Sequence, residues 1–480
     1  MITMTLGELA GLVAGTLHGA DASREVTGAI QFDSRKVAPG DVFLALPGER
    51  VDGHDYAAAA VRAGAVAAVV TRPVDAPHVL VGDGLTALAA LAAAVVRRLP
   101  DCTVVGITGS SGKTSTKDVV AHLVRRLGPT VAPPGSYNNE LGHPYTVLLA
   151  DADTRFLVLE KSARNIGHIR YLTGIAPPRI GVVLNVGSAH LGIFGSREAI
   201  AQAKGELVEA LPADGLAVLN ADDPLVAAMA SRTAARISWV GTAEWADIRA
   251  LDVALDPLGR PSFTLVTSDG SVPVQLRLAG AHHVGNALSA AAVALECGMA
   301  LDDVAEGLSS ATAASRWRME LTERADGVLV INDAYNANPE SMSAALQTLT
   351  AVARDRGARS WAVLGSMGEL GGAAPGAHRE VGRLAAELGV AELLAVGGDA
   401  THVLEGVRAA AGRLTRARNA VDIDDAVAVL TEELRAGDVV LVKASRAAGL
   451  ERLATAITAS TATGAGSGAA AGPAQRAVSS

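Results

Sequence analysis

"CTVVGITGSSGKTSTK", Cys102–Lys117, is the stretch on which the reading of this chain turns. An apolar run, Cys102–Thr108, passes directly into a glycine-rich loop and then into a helical pattern. Strand, glycine loop and helix together make a phosphate cradle. Backbone N–H groups converge at the helix start, where the macrodipole also favours an anion. In that arrangement Gly109, Ser110, Ser111, Gly112, Lys113, Thr114 and Ser115 surround a nucleotide's phosphates. Lys113 reaches the outer phosphates, and the Thr114 hydroxyl is placed to ligate Mg²⁺. The strict pattern G-x-x-x-x-G-K-[ST] needs glycine at 107, where Ile107 stands; the glycines here are Gly106, Gly109 and Gly112. A structural glycine turn before a helix is the competing reading.

Working outward, apolar runs alternate with helical patterns almost throughout, which predicts an α/β fold with mainly parallel sheets. Residues 1–100 carry strand candidates at Asp41–Leu46, Ala65–Val70 and His78–Gly82, with a helix between the first two. A second domain, 101–314, adds strands at Arg155–Glu160, Ile180–Asn185 and Leu216–Asn220 to the quoted one. A third, 315–458, has strands at Gly327–Asp333, Trp361–Gly365, Glu392–Gly398 and Asp438–Ser445. Residues 459–480 hold almost no bulky apolar side chain and predict a disordered tail.

Composition narrows the function. Of the 480 residues, 49% are hydrophobic, enough for several cores, and the net charge of −9 argues against nucleic-acid binding. The two cysteines, Cys102 and Cys297, form no CxxC, which speaks against a disulfide framework or a cysteine zinc site. The N-terminus lacks a secretory pattern, and the most apolar window, Leu85–Val96, falls short of a bilayer span. The expectation is a cytoplasmic protein with no membrane insertion.

Three residues say what the phosphate is for. Glu160 ends an apolar strand, so it is expected at the carboxyl edge of the sheet, where a carboxylate serves as a Mg²⁺ ligand. A solvated strand end is the plainer reading. His190 follows another strand end on the same edge and is either structural or a metal ligand. Lys204 sits on the apolar stripe Ile200, Ala203, Leu207, Val208 and Leu211 of a helix expected from Ser196 to before Pro212. Such a lysine either snorkels to water or is held neutral by burial; a neutral amine can react with CO₂ to form a carbamate.

Taken in order, "DSRKVAPGDVFLALPGERVDGHDY", "TGSSGKTSTK", "YNNELGHP", "AHLGIFGSREAIAQAKGEL", "LNADDP", "HHVGNALSAAAVAL", "RWRME", "NDAYNANPESM" and "VKASRAAGLE" resemble the Mur ligase family over about residues 25–455. "NDAYNANPESM" is similar to the type that joins D-alanyl-D-alanine to UDP-N-acetylmuramoyl-tripeptide. The resemblance implies three domains: a small N-terminal α/β substrate domain, a central P-loop-type domain with a mainly parallel sheet, and a C-terminal Rossmann-like domain. It also implies a monomer that binds ATP with two Mg²⁺ ions and passes through an acyl phosphate, with C-terminal domain closure excluding water.

Residue by residue, it assigns Ser34 and Arg35 to the UDP end, and Asn138 and Asn139 to the acceptor. Lys113 and Thr114 fall to ATP, with Glu160, His190 and a carbamylated Lys204 at the metal; Lys113, His190 and Lys204 are the expected catalytic groups. Asn286, Arg318, Asp333, Tyr335, Asn336 and Asn338 fall at nucleotide positions, and Lys443, Ser445 and Arg446 in the segment meeting the peptide or dipeptide. Three positions depart from the family pattern: Lys161 where an apolar residue is usual, Ile193 where an acid is frequent, and Ser136 where asparagine is common. Lys161 is expected either to add a cation near the metal or to point to solvent. Two other classes remain open on sequence: a non-catalytic binding module, and a phosphotransferase or ATPase that stops at phosphorylation.

Overall fold

The computed structural model describes residues 1–48, 51–133, 135–188, 191–410 and 416–459. Residues 460–480 of the expected tail lie outside the described residues, as does His190. The chain divides into two compact units. The first comprises Met1–Asp256, Arg260–Arg316 and Glu369–Gly371; the second comprises Pro257–Gly259, Trp317–Gly368 and the chain from Gly372 onward.

Within the first unit, the N-terminal segment builds a five-stranded sheet in the order Thr16–His18, His78–Leu80, Ala67–Val70, Val42–Leu44, Ile30–Gln31. Its central strands Val42–Leu44 and Ala67–Val70 read as continuous apolar runs because both faces are covered. Val42 and Leu44 pack with Leu88, Leu91 and Val95 of the helix Gly84–Arg97. Phe43 and Ala45 pack on the opposite face with Ala57 and Ala60 of the helix Ala57–Arg62.

The second sheet of this unit has nine strands among the described residues. From one edge they run Thr130–Val131, Phe156–Glu160, Thr103–Thr108, Ile180–Val183, Leu216–Asn220, Arg236–Gly241, Ile248–Leu255, Pro261–Thr267 and Gly270–Gln275. The first seven pair in parallel, and the last two close antiparallel. Sequence reading places no strand in 221–314, and the structure places four between Arg236 and Gln275. The longest of these, Ile248–Leu255, is mostly exposed beyond Ala250, so it lacks the apolar run that marks a buried strand.

The strand Thr103–Thr108 lies between Phe156–Glu160 and Ile180–Val183. After it, the chain crosses to one edge, returns as Phe156–Glu160, and then passes to the other side. That reversal is a topological switch point, where α/β sheets open a crevice at the carboxyl ends of their strands. Val105 and Ile107 pack under the helices Lys113–Val124 and His283–Glu296, whose buried side chains include Val120, Leu123 and Leu288.

The second unit is a six-stranded sheet in the order Glu320–Glu323, Leu329–Asp333, Val439–Lys443, Ser360–Leu364, Glu392–Val396, Arg416–Ala420. All pairings are parallel except that of the first edge strand. Trp361, fully buried, donates its indole N–H to Asp438 Oδ2 at 3.1 Å, so its polar edge is satisfied inside the core.

Candidate active site

The quoted loop joins the strand Thr103–Thr108 to the helix Lys113–Val124. Gly112 is the N-cap, with φ of 81°, a left-handed conformation open to glycine at little cost. A Cβ there would lie 2.6 Å from Asn286 Oδ1, so helix His283–Glu296 presses its asparagine directly against the loop. Gly112→Ala is therefore expected to combine about 1–2 kcal/mol of left-handed strain with displacement of Asn286. Steady-state kinetics with ATP varied should show kcat/KM for ATP reduced by about tenfold or more, with the protein still folded.

Lys113 folds back over the loop and donates to Gly109 O at 2.7 Å. Thr114 is buried on the first turn. Asn185 pins the loop. Its Oδ1 accepts from the backbone N–H of Ser110 and Ser111 at 2.9 and 3.0 Å, and Gly187 N donates to Ser110 Oγ at 2.8 Å. Sequence reading did not single out Asn185. The available signal was a polar residue ending the apolar run "IGVVLN" beside the phosphate strand.

Glu160 is fully buried at the carboxyl end of the neighbouring strand, in register with Ile107. The solvated-end reading is thereby set aside. Oε2 accepts from Ser136 Oγ at 3.0 Å and Asn138 Nδ2 at 3.3 Å, and Asn138 Nδ2 also donates to Ser136 Oγ at 2.8 Å. Oε1 has no hydrogen-bond partner among the described residues. An orphaned, buried carboxylate oxygen is costly unless a cation or donor completes it. Asn139 Oδ1 accepts from Gly142 N at 2.8 Å.

Lys204 is buried on the inner face of the helix Arg197–Glu209, with Ile200, Ala203, Leu207 and Val208. The helix starts where the sequence places it, with Ser196 Oγ accepting from Ala199 N at 3.1 Å. Burial pushes the Lys204 ammonium well below its ordinary pKa, and the charge of Lys113 adds to the effect. Snorkelling does not describe this side chain.

The three departures resolve differently. Ser136 keeps a donor on Glu160. Ile193 is exposed. Lys161 neither reaches the Glu160 carboxylate nor points to solvent. Successive strand side chains leave on opposite faces, and Lys161 is fully buried on its own side. Its Nζ donates to Leu172 O at 3.1 Å and Ala176 O at 3.2 Å, and lies 3.3 Å from His143 Nε2. Those carbonyls close the helix His168–Ile175, whose first turn is capped at Arg170 N by Glu206 at 2.9 Å. The helix thus meets an anion at its positive end and a cation at its negative end. Burial nonetheless lowers the Lys161 pKa to about 7.

Ser34 and Arg35 begin a short 3-10 turn, Ser34–Lys36, after the edge strand Ile30–Gln31; Arg35 is exposed and pairs with Asp33 at 2.8 and 2.9 Å. In the second unit, Asp333 and Lys443 end adjacent parallel strands, in register with one another. Lys443, buried, is ion-paired with Asp333 and donates to Asn336 O at 2.9 Å. Met319 N donates to Asp333 Oδ1 at 3.1 Å. The Arg318 guanidinium stacks 4.2 Å over the Tyr335 ring, and its Nε has no partner among the described residues. Asn338 caps the helix Pro339–Asp355 by accepting from Ser341 N at 2.9 Å, and Asn336 Oδ1 accepts from Ala337 N at 2.9 Å. Ser445 N donates to Ser366 O at 2.9 Å, while Arg446 stacks on Trp317 at 4.6 Å and pairs with Glu451 at 2.6 Å.

A parallel sheet with a phosphate loop at its switch point, flanked by a buried carboxylate and a buried amine, defines a nucleotide-binding domain of the phosphate-loop class. Residues 107–294 match the family described as Mur ligase middle domain, 317–446 the Mur ligase, glutamate ligase domain, and 27–101 the Mur ligase family, catalytic domain. The chain belongs to the Mur ligase family, in its MurF type. It is 52% identical to the UDP-N-acetylmuramoyl-tripeptide–D-alanyl-D-alanine ligase of Mycobacterium tuberculosis, over 96% of this chain and 98% of that protein. MurF from Acinetobacter baumannii superposes with a TM-score of 0.86 at 33% identity, covering 95% of this chain and 99% of that one. MurF ligase from Thermotoga maritima, solved in complex with ADP, gives 0.79 at 30% identity, covering 90% and 98%.

Proposed function

We propose that this chain is an ATP-dependent amide ligase that joins D-alanyl-D-alanine to UDP-N-acetylmuramoyl-tripeptide, a cytoplasmic step of peptidoglycan precursor synthesis. Glu160 carries the reading. One oxygen of this buried carboxylate holds Ser136 and Asn138, on the loop assigned to the acceptor, while the other, partnerless among the described residues, stands at the phosphate-loop edge. In this reading a single group serves both substrates. Among the described residues no helix is long and apolar enough to cross a membrane.

An unactivated carboxylate does not form an amide in water. In this reading the terminal carboxylate of the tripeptide attacks the γ-phosphorus of ATP, and the bond to the leaving ADP oxygen breaks. The amine of D-Ala-D-Ala then attacks the acyl carbon, loses a proton, and phosphate departs. Lys113 is placed to neutralise the outer phosphates as two anions meet, and the Ser110 and Ser111 N–H groups, aligned by Asn185, orient the loop. Mg²⁺ fits the orphaned Glu160 oxygen and the Thr114 hydroxyl, since it takes one or two protein oxygens together with substrate phosphates. When bound it supplies charge neutralisation at the transferring group. His190 and a carbamylated Lys204 complete the set in this proposal. Asn286 and the second unit's Arg318, Asp333, Tyr335, Asn336 and Asn338 are assigned to the nucleotide. Ser34 and Arg35 take the UDP end, and Lys443, Ser445 and Arg446 line or support the peptide segment. The domains are taken as 1–100, 101–314 and 315–458.

Mass spectrometry tests the reading. Incubation with ATP, Mg²⁺, the UDP-tripeptide and D-Ala-D-Ala is expected to yield the tripeptide extended by the dipeptide less one water. Recovery of unextended tripeptide alongside consumed ATP contradicts it.

A further inference from the structure

The helix that begins with Lys113 carries a second lysine one turn on, Lys117, on the same face. Lys117 is fully buried. Nζ donates to Pro133 O and to Gly135 O, the latter at 3.1 Å, and pairs with Asp118 Oδ1 at 2.7 Å. Two carbonyls and a carboxylate surround the buried ammonium, so Lys117 acts on structure and does not touch substrate.

What it holds is informative. Pro133 and Gly135 lead directly into Ser136, Asn138 and Asn139. Farther along, this segment is pinned by Ser136 and Asn138 on Glu160, and by Ser162, whose N and Oγ both donate to Asn138 O, at 3.1 and 2.8 Å. Asp118 extends the same anchor by accepting from Ser315 N at 3.0 Å. Lys117 therefore ties the phosphate-loop helix to the acceptor loop.

We propose that Lys117 is a positioning residue for the acceptor. By fixing the carbonyls of Pro133 and Gly135, it sets the register at which Ser136 and Asn138 meet Glu160 and Asn138–Asn139 faces the peptide substrate. The inference rests on the assignment of Asn138 and Asn139 to the acceptor given above.

The test measures two affinities by calorimetry on full-length protein: a non-hydrolysable ATP analogue with Mg²⁺, and UDP-N-acetylmuramoyl-tripeptide. In Lys117→Met the acceptor Kd is expected to rise at least about tenfold, a change of about 1.4 kcal/mol, with the nucleotide Kd within about twofold. Lys117→Gln keeps N–H donors on a shorter side chain and covers the case in which Lys117→Met does not fold. It is expected to show the same split at smaller amplitude. Equal weakening of both ligands in the folded variants, or unchanged acceptor affinity, overturns the inference while the functional reading stands. Failure of the wild-type protein to bind the UDP-tripeptide overturns that reading and this inference with it.

Discussion

Lys113→Ala is expected to lower turnover by at least about 100–1,000-fold, the range seen when one preorganised group facing developing charge is removed. The fold should survive. Lys113 is only partly buried and donates to Gly109 O, so no core is opened. The loss should fall on phosphoryl transfer because the lysine starts a helix whose N-terminus already favours phosphate. A point charge there is needed most when the carboxylate and the γ-phosphate approach. Steady-state ADP production, with circular dichroism to confirm folding, is the check. Near-normal turnover in a folded variant removes the phosphate-loop assignment.

Lys204→Ala is expected to be nearly inactive, down at least about 100-fold, and short carboxylic acids such as acetate should restore part of the activity. Burial and the neighbouring Lys113 charge both favour the neutral amine, and only a neutral amine has the lone pair that attacks CO₂. In the proposed carbamate a new N–C bond forms as one proton is released, and the side chain becomes an anion. That anion would balance Lys113 and stand with Glu160, whose Oε1 has no partner among the described residues, in holding the proposed metal. In the alanine variant a small carboxylate can occupy the vacated volume and replace the lost charge. Rates measured across acetate concentrations provide the readout. Near-normal activity of Lys204→Ala in CO₂-depleted buffer contradicts the carbamate.

The fold was legible where burial writes a simple pattern. Strands covered on both faces, such as Val42–Leu44, Phe156–Glu160 and Val439–Lys443, read directly as apolar runs, off by a residue or two at their ends. The antiparallel strands Pro261–Thr267 and Gly270–Gln275 were missed because each buries only alternate residues or fewer, so no continuous apolar run marks them. Gly109 to Ser115 stand out in the sequence for a like reason, a distinctive local pattern, and the structure places them between a strand and a helix. Asn185 and Lys117 escaped because their roles depend on partners far along the chain, at Ser110 and Pro133, which local spacing cannot reveal. Lys161 shows the converse. Its neighbour Glu160 suggested a metal-site cation, but strand alternation sends it to the opposite side, where the carbonyl end of a helix receives it.

The central claim, that ATP cleavage is coupled to amide formation, is tested most directly by ADP release from ATP and Mg²⁺ with UDP-N-acetylmuramoyl-tripeptide, with and without D-Ala-D-Ala. Sustained ADP release only when the dipeptide is present is the predicted result. Sustained release at the same rate without the dipeptide amine would contradict it and show a protein that stops at phosphorylation.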